Sequence, residues 1–137
     1  MHQLMKSKTM SVAIAVSPSA VYEFASNPEN MPEWARGFAK VVTRSKGGWV
    51  VETADGSVTL RFVERNALGV LDHIVTLPTG LEIRNPMRVI ANGSGSEVVF
   101  TLFQTENLSD TEFAADAELV KNDLYMLKQI LESGAAR

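Results

Sequence analysis

The clearest pattern in the chain is a helical repeat of apolar residues near its C-terminus. The apolar positions, spaced by four, three, four, three and four, are Phe113, Ala117, Val120, Leu124, Leu127 and Leu131. This spacing keeps the side chains on one face of a helix for about five turns. Ser109 and Glu112 form a capping box that starts a helix, and Gly134 is a natural terminator. The sequence therefore predicts a long amphipathic C-terminal helix.

Short runs rich in β-branched and aromatic residues occupy the chain from Phe38 to Gln104. Turn sequences separate them at Gly47-Gly48, Asp55-Gly56, Asn66 to Gly69, Pro78 to Gly80 and Asn92 to Gly95. These runs predict six strands joined by hairpins. An alternating run over Thr9 to Val16 predicts one more strand at the start of the chain. We therefore expect seven antiparallel strands.

Two short helices are expected between the first strand and the other six. Ser17-Pro18 combines a capping hydroxyl with a proline suited to the first helical position. Asn27-Pro28 ends this helix, because the residue before a proline is pushed out of the helical conformation. A second short helical segment is predicted over Glu29 to Trp34.

The hydrophobic pattern also indicates which face of the sheet points inward, because a slip of one residue would exchange the two faces. The turn lengths pair Phe62 with His73, His73 with Asn85 and Met87 with Phe100, and every turn selects the same apolar face. The residues predicted to line the interior are Trp34, Phe38, Val51, Leu60, Phe62, His73, Val75, Ile83, Asn85, Met87, Phe100, Leu102, Val120 and Leu124.

His73 and Asn85 are the polar exceptions on this inward face, and they are predicted to lie directly opposite each other. A buried polar group is costly unless it is hydrogen-bonded. One hypothesis is that the two residues orient a polar group of an otherwise apolar ligand. The other is a satisfied core pair, in which His73 bonds Asn85 or Glu64. The sequence leaves both open.

The opposite face carries Arg61, Asp72, Arg84 and Arg88, and a cross-strand ion pair between Arg61 and Asp72 is predicted. This face is either a solvated surface or a partner surface anchored by its arginines.

The order of elements and several local segments resemble the START-like, or SRPBCC, superfamily and its bacterial polyketide cyclase/dehydrase-like branch. The segments that carry the resemblance are Val16 to Pro18 with Val21 and Phe24, Asn27 to Trp34, Gly69 to His73, Pro86 to Val89 and Ser109 to Leu131. The resemblance implies an α+β helix-grip fold, a seven-stranded antiparallel sheet curved around the C-terminal helix. It also implies an elongated cavity closed by the two short helices, with Met31, Trp34 and Phe38 as either lid or core.

Composition narrows the classes of function. A length of 137 residues with 45% hydrophobic residues fits a single domain over 1–137, with residues 1–8 as a flexible N-terminus. The net charge of −3 argues against nucleic-acid binding, and the chain has no apolar run long enough to span a membrane. The lack of cysteine fits a cytoplasmic protein.

No metal or cofactor is predicted. The chain has two histidines, no histidine-pair spacing typical of zinc, and no glycine-rich phosphate loop. The oligomeric state is left open.

Three hypotheses about function follow. The first is a protein that binds or carries a small hydrophobic ligand, such as a lipid, a polyketide or an aromatic compound. The second is a cyclase- or dehydratase-like enzyme in which His73 moves protons as the catalytic residue. The third is a protein-interaction module whose core is filled by its own side chains.

Overall fold

A computed structural model describes residues 4–134, and its elements follow the predicted order. The strands are β1 Ser7–Ile14, β2 Val41–Ser45, β3 Gly48–Thr53, β4 Gly56–Phe62, β5 His73–Thr76, β6 Glu82–Asn85, β7 Met87–Asn92 and β8 Gly95–Phe103. The helices are α1 Pro18–Ala25, α2 Met31–Trp34 and α3 Asp110–Glu132, with a 3-10 turn at Pro28–Asn30 before α2. The α+β helix-grip prediction is confirmed. Residues 1–3 of the predicted flexible N-terminus lie outside the described residues.

The described strands number eight rather than seven, because Pro86 divides one predicted strand into β6 and β7. A proline has no N–H to continue the ladder of a sheet. Its carbonyl instead accepts a hydrogen bond from the Thr101 amide of β8, at 3.0 Å. The chain thereby passes from a five-stranded sheet, β2-β3-β4-β5-β6, to a three-stranded sheet, β1-β8-β7.

Two of the family-like segments pair with each other at this junction. The Leu71 amide donates to the Met87 carbonyl at 2.8 Å, and the Asp72 carboxylate accepts from the Met87 amide at 2.9 Å. Arg88 binds the same carboxylate through two nitrogens, at 2.9 and 3.0 Å. The hydrogen bonds from Arg88 lower the pKa of Asp72. The predicted pair of Arg61 and Asp72 is wrong, because Arg88 reaches Asp72 across the junction.

The predicted register is confirmed around the centre of the sheet. Phe62 pairs with His73, His73 with Asn85, and Met87 with Phe100. The ladder between β7 and β8 begins at Met87, so the interior residue Leu102 is paired with β1 and not with Asn85.

The turn between β3 and β4 differs from the prediction. It lies at Ala54-Asp55 rather than at Asp55-Gly56, and it pairs Val51 with Val58. The Thr53 hydroxyl holds this turn, since it accepts from the Asp55 amide and donates to the Gly56 carbonyl. The register changes by two residues, so the inward face stays the same.

Helix α3 begins at the predicted capping box. The Ser109 hydroxyl accepts from the Glu112 amide at 3.1 Å, and the Glu112 carboxylate accepts from the Ser109 amide at 2.9 Å. Most of the predicted apolar stripe is buried, namely Ala117, Leu124, Leu127 and Leu131. No helix within residues 4–134 is long and apolar enough to cross a membrane.

The C-terminal half of α3 is fastened to β1 and to the residue that follows it. The Lys128 ammonium donates to the Ala13 carbonyl at 2.7 Å, and the Glu132 carboxylate accepts from the Ala15 amide at 2.8 Å. Lys128 and Glu132 also form an ion pair at 2.7 Å. These bonds fix the position of the helix along the three-stranded sheet.

Candidate functional site

The residues predicted to line the interior differ in how completely they are covered. The buried ones are Trp34, Val51, Leu60, His73, Val75, Met87, Phe100, Leu102 and Leu124. The half-buried ones are Phe38, Phe62, Ile83, Asn85 and Val120. Phe62 and Asn85 are the two strand partners of His73. The inward face is therefore less completely covered on both sides of His73.

His73 sits between two aromatic rings, with 7% of its surface exposed. Its ring centroid lies 5.1 Å from that of Phe62 and 5.9 Å from that of Phe100. Its Nδ1 lies 3.0 Å from the Leu71 carbonyl oxygen, within hydrogen-bond distance. The predicted core partners of His73, Asn85 or Glu64, are wrong, because the histidine bonds the backbone two residues before it.

The charge state of His73 follows from this environment. Burial lowers its pKa and outweighs the Leu71 carbonyl and the Asp72 carboxylate, which both raise it. The imidazole is therefore neutral near neutral pH, with its proton on the Nδ1 that faces Leu71. Its Nε2 is left as a hydrogen-bond acceptor, and no group within residues 4–134 donates to it.

Trp34, at the end of α2, carries an unsatisfied donor. The residue is 5% exposed, and its Nε1–H has no hydrogen-bond partner in the described part of the chain. Buried polar groups without partners are rare in native proteins, and each one calls for an explanation. Trp34 was predicted to line the interior, but no local sequence pattern signals that its N–H is unpaired.

A carboxylate that was not among the predicted site residues connects α3 to residues 35–40, which we call the α2–β2 segment. Asp123 accepts a hydrogen bond from the Gly37 amide at 3.0 Å. Burial raises the pKa of Asp123 to about 6. A signal was available in the sequence, because Asp123 directly precedes Leu124 and so borders the apolar stripe of α3.

A surface pocket of about 400 Å³ lies elsewhere on the five-stranded sheet. It is lined mainly by Val50, Val58, Thr59, Thr76, Leu77 and Pro78. None of the predicted interior residues contributes to it.

Solved structures similar to this chain share its fold at low sequence identity. XoxI from Bacillus cereus is 18% identical with a TM-score of 0.74, over 91% of this chain and 94% of that protein. Ara h 8.0201 is 15% identical with a TM-score of 0.69, over 95% of this chain and 99% of that one. DynU16, from the dynemicin biosynthetic locus, is 15% identical with a TM-score of 0.71, over 93% of this chain and 48% of that one.

No curated protein matches the sequence. A family described as polyketide cyclase / dehydrase and lipid transport matches residues 5–132, which is nearly the whole chain. The match covers every strand and helix from β1 to α3. The chain therefore belongs to the polyketide cyclase / dehydrase and lipid transport family.

Proposed function

We propose that the protein binds a small hydrophobic molecule between the inward face of its sheet and α3. The observation that carries this proposal is the buried indole N–H of Trp34, which has no partner in the described residues. Leaving a buried donor unpaired costs about 1–3 kcal/mol. An oxygen atom of a bound ligand would remove that cost.

His73 supports the same proposal because it offers a hydrogen-bond acceptor, whereas Trp34 offers a donor. Its Nε2 is an acceptor set among Phe62 and Phe100. One donor and one acceptor in an apolar surrounding are typical of sites that orient a mostly hydrophobic ligand. The family description, with its polyketide and lipid chemistry, also supports a ligand of this class.

Native mass spectrometry of the purified protein, compared with its denatured mass, tests the proposal. We expect an adduct of small-molecule mass, which solvent extraction would release for identification. The compound so identified is then titrated against Trp34→Phe, which keeps an aromatic ring but removes the N–H. We expect about a tenfold loss of affinity.

Trp49→Phe is the matched control. Trp49 lies on β3 opposite Leu60 and so shares the inward face, but within residues 4–134 its N–H is not a buried donor without a partner. Its replacement leaves Trp34 as the sole tryptophan reporter. We expect a much smaller loss of affinity than in Trp34→Phe, and a change in Trp34 fluorescence on binding. Equal affinities of the two variants, or the lack of any adduct and any binding, would contradict the proposal and favour a filled core.

A second candidate is proton transfer by His73 in a cyclisation or dehydration, as its uncommitted Nε2 and neutral state would allow. If the protein converts the compound that it binds, His73→Gln should abolish turnover and retain binding. Recovery of the compound unchanged after incubation with the wild type would exclude this candidate for that compound.

A further inference from the structure

Two carboxylates lie along the side of α3 next to its apolar stripe. Asp116, Val120, Asp123 and Leu127 follow one another at spacings of four, three and four, so they share one row of the helix. Both carboxylates are half-buried. Asp123 accepts its hydrogen bond from the α2–β2 segment, as described above. The acidic row therefore borders the face of α3 that contributes Val120 to the proposed site.

Neither carboxylate forms an ion pair with a cation among residues 4–134. The ion pairs within residues 4–134 are Lys6 with Asp110, Arg65 with Glu23, Arg88 with Asp72, and Lys128 with Glu132. Burial raises the pKa of Asp116 and of Asp123, and the nearby Glu112 and Asp55 raise that of Asp116 further. At about pH 8, above the pKa of about 6 of Asp123, this carboxylate is negatively charged.

The buried polar residues offer no positive charge either. Among residues 4–134, they are His73 and Ser96. His73 is neutral, and the Ser96 hydroxyl donates to the Val16 carbonyl at 2.7 Å. A carboxylate or phosphate carried into the interior would lose its hydration and meet no cation to replace it.

We infer that the site accepts an uncharged ligand bearing a hydroxyl or carbonyl oxygen and excludes amphiphiles with anionic head groups. This inference rests on the proposed binding function and narrows it to one class of ligand. A neutral oxygen could accept from the Trp34 indole, and a hydroxyl could instead donate to Nε2 of His73. The alkyl chain of a free fatty acid would fit the apolar lining. At neutral pH, however, its carboxylate would be repelled by the acidic row.

Displacement of an uncharged apolar dye, Nile red, tests the inference with three probes of one chain length. The probes are dodecanol, methyl dodecanoate and dodecanoate, each titrated below its aggregation limit. At about pH 8 we expect the alcohol and the ester to displace the dye, and dodecanoate to bind about 100-fold more weakly than dodecanol. Dodecanoate binding within a few-fold of dodecanol would overturn the inference and leave the proposed binding function intact. Failure of the dye and of all three probes to bind would instead reject the binding function itself.

The role of the acidic row is tested with Asp116→Asn combined with Asp123→Asn. We expect the preference for dodecanol over dodecanoate to fall by about tenfold, because two negative charges near the head group are removed. Glu118→Gln removes an exposed carboxylate from the same helix and serves as the control. An unchanged preference in the double variant would overturn the part assigned to these carboxylates.

Discussion

The two halves of α3 are built differently although they form one continuous helix. In the C-terminal half, Leu127 is fully covered, and Lys128 and Glu132 are bonded to the backbone at the end of β1. In the N-terminal half, Phe113 and Val120 of the apolar stripe are only half-buried. Asp116 also lies in this half, and Asp123 lies just past the middle of the helix.

We infer from this difference that the C-terminal half of α3 anchors the helix and the N-terminal half faces the proposed ligand site. Burial of apolar surface is the main source of stability, and complete covering concentrates it in the C-terminal half. The N-terminal half has less apolar contact to lose, and its polar groups lie beside the proposed ligand site. Because its C-terminal half holds α3 in place, the N-terminal half can be less fully packed without loss of the helix position.

The largest expected effect comes from shortening a side chain in the anchored half. Leu127→Ala should lower the free energy of unfolding by about 2–5 kcal/mol, since it leaves a cavity in a fully packed region. Val120→Ala, in the other half, should cost about 1 kcal/mol or less because the valine is already partly exposed. Urea unfolding of both variants measures the contrast. Equal losses would mean that α3 is packed uniformly along its length.

A smaller effect is expected from the carboxylate that bonds the α2–β2 segment. Burial raises the pKa of Asp123 from 3.8 to about 6, so the folded chain holds this proton more tightly than the unfolded chain. The wild type should therefore lose stability as the pH rises from 3.8 through about 6, with no further loss from this group above that range.

Asp123→Asn removes this dependence while its amide oxygen can still accept from Gly37. We expect the variant to exceed the wild type by about 1 kcal/mol at neutral pH, a modest value because water partly screens the carboxylate. The difference should vanish near pH 4 in paired thermal-unfolding curves, where Glu118→Gln is the control. A difference that does not change with pH would reject the raised pKa.

Local patterns account for the parts of the fold that the sequence predicted well. The cap at Ser109 and the stripe ending at Leu131 lie within one segment, so α3 required no knowledge of distant contacts. Hairpin lengths likewise placed His73 between Phe62 and Asn85, because each turn joins neighbouring strands. The predicted turn between β3 and β4 is one residue too far along the chain, because the Thr53 side chain, and not glycine alone, determines its position.

The features that were missed depend on residues distant in sequence. Asp72 is bonded to Arg88 rather than Arg61 because Pro86 moves the chain between two sheets. The bond between Asp123 and Gly37 joins residues 86 positions apart. Whether the N–H of Trp34 finds a partner depends on all the residues that pack around it. Neither spacing nor composition can supply such information before the fold is assembled.

The junction at Pro86 also determines where the molecule can open. Asp72 holds the Met87 amide and Arg88 from one side, and the Pro86 carbonyl is bonded to β8. The outer strands are β1 and β7 in one sheet and β2 and β6 in the other, and the junction at Pro86 joins β6 to β7. If the interior opens to admit a ligand, we expect it to open at β1, β2 and the α2–β2 segment, away from this junction. We expect the Gly37 amide to exchange with deuterium quickly and the Met87 amide slowly. A bound ligand should slow exchange at Gly37 and leave that at Met87 unchanged.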